Sequence, residues 1–259
     1  MLAATAALVL ACVNFPTWAG NLAIVMDDVG YNLERAQRII DLPGPVTLGL
    51  LPFAPDTLRI AHRAHAAGNE MILHQPMEPL PSPHVRPMQG TLTLSMAPDR
   101  FNALTEAAMS AIPGIVGANN HTGSRLTQHR EPMQRFMTHL ARRNLFFLDS
   151  RTIGSTVAFD VAEEQQVPAL RRDVFLDHFP NERAIAAAFT RALGIAHRQG
   201  HAIVIGHPHE ATIRFLEARL KDLPPTVRLV RLSELVSLQR PVTLARLESP
   251  EYQRRSLVR

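Results

Sequence analysis

The sequence predicts an α/β chain folded as a single distorted (β/α) barrel of seven to eight mainly parallel strands. Three observations carry that prediction. Short apolar runs rich in Ile, Val, Leu and Phe alternate with amphipathic stretches between Leu22 and Leu238, which is the pattern of strand and crossover helix in a parallel sheet. No long linker or internal repeat interrupts the alternation, and 259 residues suit one barrel. Each cluster of charge or histidine follows an apolar run and none precedes one, so the polar groups gather where strands end, on one face of the barrel.

Leu22-Ala23-Ile24-Val25-Met26 is the first strand, and it runs straight into Asp27, Asp28 and Gly30. An unbroken apolar run suits a strand buried on both faces. Two adjacent carboxylates at its mouth repel each other, and one takes up a proton unless a cation or a hydrogen-bond donor relieves them. Two readings fit: a metal site, or a strand end whose aspartates cap the next helix. Glu34 to Ile40 has helical spacing and stops at Pro43-Gly44-Pro45, and Val46 to Leu51 is the second strand. Asp56 is placed to cap a helix from Thr57 to about Ala67, which Gly68 ends. Glu70 to His74 is a short strand with a histidine at its tip. Residues 75 to 97 hold Pro76, Pro79, Pro81, Pro83 and Pro87, and a loop of that length in a compact domain is usually functional.

Pro98 and Asp99 open a helix that runs to Ala111, and Ile115 to Ala118 is a strand delivering Asn119-Asn120-His121-Thr122-Gly123-Ser124-Arg125. Glu131 to Arg143 is helical, and Leu145 to Leu148 is a strand ending in Asp149-Ser150-Arg151. Leu170 to Leu176 reads as one strand with Arg172 and Asp173 inside it and Asp177 after it. Asn181 caps a helix through Arg198, and Ala202 to Gly206 is a strand that delivers His207-Pro208-His209. Strand alternation puts Ile203, Ile205 and His207 on one face. A helix from Ala211 to Lys221, a strand from Val227 to Val230 and a short helix near Ser233 to Leu238 complete a domain of residues 20 to 240, with a tail over 241 to 259 that lacks periodicity.

Composition removes several functions. Lys221 is the only lysine and lies at the polar end of an expected helix, so there is no buried Schiff-base lysine. Trp18, Tyr31 and Tyr252 are the only Trp and Tyr residues, and no basic run is interleaved with aromatics; the net charge of +4 therefore lacks the stacking surface of a nucleic-acid binder. Neither a P-loop nor a Gly-x-Gly-x-x-Gly run is present, so no nucleotide is expected, and without a Gly-x-Ser-x-Gly elbow a serine hydrolase is disfavoured. Cys12 is the only cysteine, which leaves the folded part without disulfide or thiolate ligand. Residues 1 to 19 carry an apolar run from Leu2 to Val13 that is short for a stable membrane span and reads as an export signal. The expected location is the periplasm, with lipid anchoring through Cys12 as a variant. Of the twelve histidines, His62, His65, His84, His129, His139, His197 and His201 are expected on the surface.

In order along the chain, Asp27-Asp28-x-Gly30, His74-Gln75-Pro76-Met77-Glu78-Pro79, Asn119-Asn120-His121-x-Gly123-Ser124-Arg125, Leu148-Asp149-Ser150-Arg151 and Gly206-His207-Pro208-His209 resemble the motifs of the divergent polysaccharide deacetylases, the YibQ-like branch of the NodB-type deacetylases. The resemblance runs from about Leu22 to Leu238. It implies Asp27 as general base, Asp28 and His74 as metal ligands, and His207 as the group that protonates the leaving amine. Asp149 matches a position that orients catalytic groups. Glu78 stands where the family pattern has a second histidine, so the third ligand is either Glu78 or His121; imidazole restores a nitrogen-rich set and favours His121. Asn120, Arg125, Arg151, Asp173 and His209, with Glu78, are then the substrate-binding or supporting residues, and Arg125, Arg151 and Arg172 are suited to holding the carboxylates or a substrate anion. The implied activity is that of a divalent-metal hydrolase, with zinc expected, acting on the N-acetyl amide of an envelope glycan such as peptidoglycan. The alternative is a barrel with little or no activity that binds a glycan or an envelope protein.

Overall fold

The computed structural model describes residues 20–83 and 88–238. The expected export signal with Cys12, the tail after residue 240, and His84 lie outside the described residues.

Strands and helices alternate as β1 (Gly20–Val29), α1 (Leu33–Ile40), β2 (Thr47–Leu50), α2 (Thr57–Ala66), β3 (Glu70–Met77), α3 (Pro98–Ser110), β4 (Gly117–Thr122), α4 (Arg130–Arg142), β5 (Phe146–Asp149), α5 (Ala158–Glu164), β6 (Ala169–Arg171), β7 (Val174–Phe175), α6 (Glu182–Gln199), β8 (His201–Gly206), α7 (Glu210–Arg219) and β9 (Val227–Val230). Residues 232–238 form a last helix, α8. The sheet order is β6-β5-β4-β3-β2-β1-β8-β7, and every pairing is parallel. Because β1 is long it serves two neighbours on one side: β9 pairs with Gly20 to Ala23, and β2 takes over from Val25. Among the described residues, no helix is long and apolar enough to cross a membrane.

The sheet curls so far that its two edges are consecutive in the chain. The single strand expected over Leu170 to Leu176 is in fact both edges, β6 and β7, broken at Arg172 and Asp173. Arg172 donates from Nε to the carbonyl of Ser150 at 2.6 Å and from Nη2 to that of Arg151 at 2.9 Å, beyond β5. Asp173 accepts the backbone N–H of Ile203, in β8, at 2.8 Å. One charged residue is thus tied to each side of the seam, and the strand cannot pass through unbroken. No helix is expected between Arg151 and Leu170, yet α5 forms there because Ala158, Val161 and Ala162 share a face that buries completely.

The core has two layers. Outward-facing sheet residues such as Leu22, Ile24, Met26 and Leu48 pack against the helices. Inward-facing Ala23, Val25, Ile72, Phe146, Leu148, Leu170, Ile203 and Ile205 fill the barrel, and Leu232 and Leu235 of α8 close its lower end. Glu70, buried at that lower end, accepts the backbone N–H groups of Leu232 at 3.0 Å and Ser233 at 3.3 Å, so a carboxylate meets the positive first turn of α8. Reading up the inward positions, Ile72 is followed by His74, Val25 by Asp27 and Ile205 by His207. The interior changes from apolar to ionisable at one level, where the strands end.

Candidate active site

Adjacent residues of a regular strand point to opposite faces, so Asp27 and Asp28 cannot share a site unless the strand deforms. It does: the β1–β2 register slips between Met26 and Val29, and Asp28 has φ of 57°. Asp tolerates this left-handed backbone better than most residues because of its short polar side chain. Both carboxylates therefore face one cleft of about 340 Å³. Gly49 in β2 makes room for the inner one, since a Cβ there would lie 2.0 Å from Oδ1 of Asp27.

Three lone-pair atoms meet at the cleft floor. Asp28 Oδ1 is 3.1 Å from His74 Nε2 and 2.8 Å from His121 Nδ1, and the two ring nitrogens are 3.2 Å apart. Ligands of a tetrahedral zinc ion at about 2.0–2.1 Å stand roughly 3.3 Å from one another. Asp28, His74 and His121 thus match a three-ligand metal centre in chemistry and spacing. The tautomer of His74 supports this fit. Asn119 donates from Nδ2 to Asp27 Oδ2 at 2.7 Å, which turns its Oδ1 toward His74 Nδ1, also at 2.7 Å. His74 then donates from Nδ1, so Nε2, which donates to Asp28 here, is the nitrogen that would give up its proton to bind a metal ion.

The charges are strongly coupled. Burial by itself raises the pKa of Asp28, but hydrogen bonds from His121 and His74 outweigh it and hold this carboxyl far below the usual range. Burial likewise opposes charging of His74, yet Asp27 and Asp28 pull its pKa up to about 9. Asp27 goes the other way: its burial raises the pKa against the opposing pull of His74 and His207. Its Oδ1 has no hydrogen-bond partner and lies 3.5 Å from His74 Nδ1, an ion-pair contact only. A buried acceptor without a hydrogen bond, beside two carboxylates that draw positive charge onto the histidines, fits a place for an added cation.

On the other side of the cleft, His207 donates from Nδ1 to Asp177 Oδ1 at 2.9 Å. Oδ2 of Asp177 accepts the His207 backbone N–H at 2.6 Å and the Thr212 hydroxyl at 2.8 Å. Burial lowers the pKa of His207 by itself, but the Asp177 contact more than compensates and raises it; in Asp177, hydrogen bonds from His207 outweigh burial and lower the pKa. The ring therefore keeps Nε2 as its free nitrogen, and Phe175 packs 4.9 Å from it. Pro79, Leu80, Pro81, Phe175 and Ile205 give the cleft its apolar lining.

Several residues singled out in the sequence have other work. Glu78 is outside the triangle: Oε1 accepts from Arg125 at 2.8 Å and Oε2 from the backbone of Leu94 at 2.7 Å, so Glu78 and Arg125 pin a loop. Asp149 is not among the cleft-lining residues; it accepts the Arg151 N–H at 2.8 Å and the Thr156 hydroxyl at 3.0 Å, shaping the loop after β5. Arg151, at φ of 48°, is exposed in that loop. Asn120 does line the cleft and accepts the Ser150 N–H at 3.0 Å. Asp173 closes the seam as described. His209 is exposed at the N-cap of α7, its ring 6.1 Å from that of His207. His139, expected on the surface, is buried against Glu106 and Asn102. Two site residues are given no role by the resemblance, although Asn119 lies within one of its motifs. Asn119 shares the inward face of β4 with His121 by simple alternation, and Asp177 obeys the same rule of acids at strand tips.

A family model described as divergent polysaccharide deacetylase matches residues 24–236. The chain is 40% identical to the protein YibQ of Escherichia coli (strain K12) over 229 residues, 88% of this chain and 71% of that one. The crystal structure of ATU2773 from Agrobacterium tumefaciens C58 superposes with a TM-score of 0.79 at 25% identity, covering 83% of this chain and 89% of that one. A mutant of the peptidoglycan deacetylase PdaC from Bacillus subtilis shares the fold, with a TM-score of 0.50 at 14% identity over 89% of this chain and 98% of that one. With motifs, architecture and relatives in agreement over almost the whole described region, the chain belongs to the divergent polysaccharide deacetylase family.

Proposed function

We propose that the protein is a metal-dependent hydrolase that removes the acetyl group from an N-acetylated sugar of an envelope glycan. The observation that carries this reading is the triangle of Asp28, His74 and His121 flanked within one cleft by Asp27 on one side and His207 on the other. A divalent ion held by these ligands, zinc by the nitrogen-rich set, supplies Lewis acidity that polarises an acyl oxygen and acidifies water.

The chain's own groups do the rest. Asp27, with one oxygen fixed by Asn119 and the other open, takes the proton of the attacking water. As the tetrahedral carbon collapses, its C–N bond breaks and His207 gives the proton of Nε2 to the departing amine; the products are the free amine and acetate. Asp177 stabilises the imidazolium before the transfer and fixes the ring. The apolar side chains of Pro79, Leu80, Pro81 and Phe175 lower the local polarity of the cleft and strengthen these interactions.

Export to the periplasm belongs to the same proposal and rests on the apolar N-terminal run. N-terminal sequencing of protein from the cell envelope tests it; an intact Met1 on cytosolic protein refutes it. The chemistry is tested by acetate release from N-acetylglucosamine oligosaccharides and from peptidoglycan with zinc-loaded protein. Asp27→Asn and His207→Ala are each expected to cost roughly 10²–10⁴ in rate. Folded, zinc-loaded protein that releases no acetate from either substrate would shift the assignment to a glycan-binding barrel.

A further inference from the structure

Among the described residues, the exposed Tyr and Phe side chains are Tyr31 and Phe179, at 58% and 65% exposure. They follow β1 and β7, the two strands that flank β8, so both stand on the cleft face beside the loop of His207. Phe179 is connected to the cleft by a run of rings. Its centroid lies 4.7 Å from that of His178, His178 lies 6.2 Å from Phe175, and Phe175 lies 4.9 Å from His207. The outer end of this run is held in place. The carbonyl of Phe179 accepts the N–H of Asn181 at 2.8 Å, and the Asn181 side chain caps α6 through the N–H of Ala184 at 3.0 Å. At the inner end the guanidinium of Arg172 stands 5.2 Å from the Phe175 centroid and backs that ring.

A large apolar ring held in water gains free energy when a ligand covers it, and a ring on a fixed backbone saves the cost of ordering it on binding. The broad faces of a pyranose carry C–H bonds whose polarity complements the negative face of an aromatic ring. A protein partner would need a wide apolar patch, whereas this run is narrow and continuous with the cleft. We propose that Phe179, braced edge-on by His178 and through it by Phe175, is the stacking face of a track for a glycan chain and lies beneath a sugar ring next to the one whose acetamide enters the cleft. The inference rests on the glycan reading above and sharpens it: the neighbouring sugar of the chain is held along the β7 side of the cleft, over Phe179.

Calorimetric titration of zinc-loaded protein with N-acetylglucosamine and with its β-1,4-linked tri- and pentasaccharides tests the track. The pentasaccharide is expected to bind about tenfold more tightly than the monosaccharide; Phe179→Ala removes about five- to tenfold of that gain, leaves monosaccharide affinity unchanged, and is rescued by Phe179→Trp. A pentasaccharide affinity untouched by Phe179→Ala, a wild-type protein indifferent to chain length, or one that binds none of the three sugars would overturn the proposal. Acetate assays on the same samples separate it from the hydrolase reading. Acetate released without length preference retains the hydrolase and removes the track. Binding that depends on length and on Phe179, without acetate release, retains the track and removes the hydrolase.

Discussion

The side-chain amide of Asn119 joins Asp27 to His74: it gives one hydrogen bond of 2.7 Å to the carboxylate and takes another of 2.7 Å from the ring. The orientation of a proposed base and the tautomer of a proposed metal ligand are therefore set by one uncharged residue. Asn119→Leu, similar in volume, leaves both buried partners unsatisfied. Metal affinity should fall about 10- to 100-fold, as for other losses of a ligand's supporting hydrogen bond, and stability by about 1–3 kcal/mol per orphaned group. Zinc titration and thermal unfolding measure the two effects, and zinc affinity equal to wild type would remove Asn119 from its role.

Gly49 is the second test of how Asp27 is held. A methyl group placed 2.0 Å from Oδ1 forces the carboxylate to move. Because Asp27 lies outside the triangle and reaches it only through Asn119, Gly49→Ala should lose no more than about tenfold in zinc affinity while losing about 10²-fold in turnover, the cost of misplacing a reacting group by about 1 Å. Equal losses of zinc and turnover would mean that the substitution disrupts the sheet as a whole.

Metal content distinguishes His121 from Glu78. Asp28→Ala, His74→Ala and His121→Ala should each abolish near-stoichiometric zinc on elemental analysis, whereas Glu78→Ala should retain it, since the Glu78 carboxylate is engaged by Arg125 and Leu94. Chelation should lower the melting temperature of the wild type and leave that of the His121→Ala protein unchanged. Zinc lost from Glu78→Ala alone would reverse the assignment of the third ligand.

The Asp177–His207 pair makes stability depend on pH in a defined window. Asp177 has a folded pKa below its ordinary 3.8, so its contribution is present above that value and is lost as pH falls through the folded pKa. His207 has a folded pKa above its ordinary 6.5, so its contribution is complete below 6.5 and is lost as pH rises through the folded pKa. Both act together between these ordinary values. The melting-temperature deficit of Asp177→Asn relative to wild type should be greatest near pH 5 to 6 and should shrink toward pH 9. The alkaline limb of the activity profile should also move to lower pH in this variant, because the neutral amide no longer favours the imidazolium. A deficit independent of pH would mean that the pair is neutral.

Legibility differed between fold and site. β1 and β8 were readable because a central strand buried on both faces leaves an unbroken apolar run, and the histidines and aspartates stood out because they ended such runs. The seam at Arg172 and Asp173 was not readable. A stretch that ends one edge and begins the other has the same local pattern as one strand, and its break depends on partners in β5 and β8. Asp149 and Glu78 carry suitable chemistry at suitable positions, but Asp149 is satisfied within its own loop and Glu78 by Arg125 after β4 and by the backbone of Leu94.

The sequence by itself determined the class of the molecule: parallel strands alternating with helices, polar groups at strand ends, and the ordered motifs of one family. These follow from short-range periodicity and residue type, which do not require knowledge of distant contacts. Only the tertiary structure decided which groups meet. Asn119 and Asp27 are 92 residues apart, Asp177 and His207 are 30 apart, and Asp28 joins Asp27 in the cleft because the backbone turns left-handed at one residue. Direction and distance of side chains at a barrel mouth arise from curvature, register slip and closure, and these are properties of the assembled sheet.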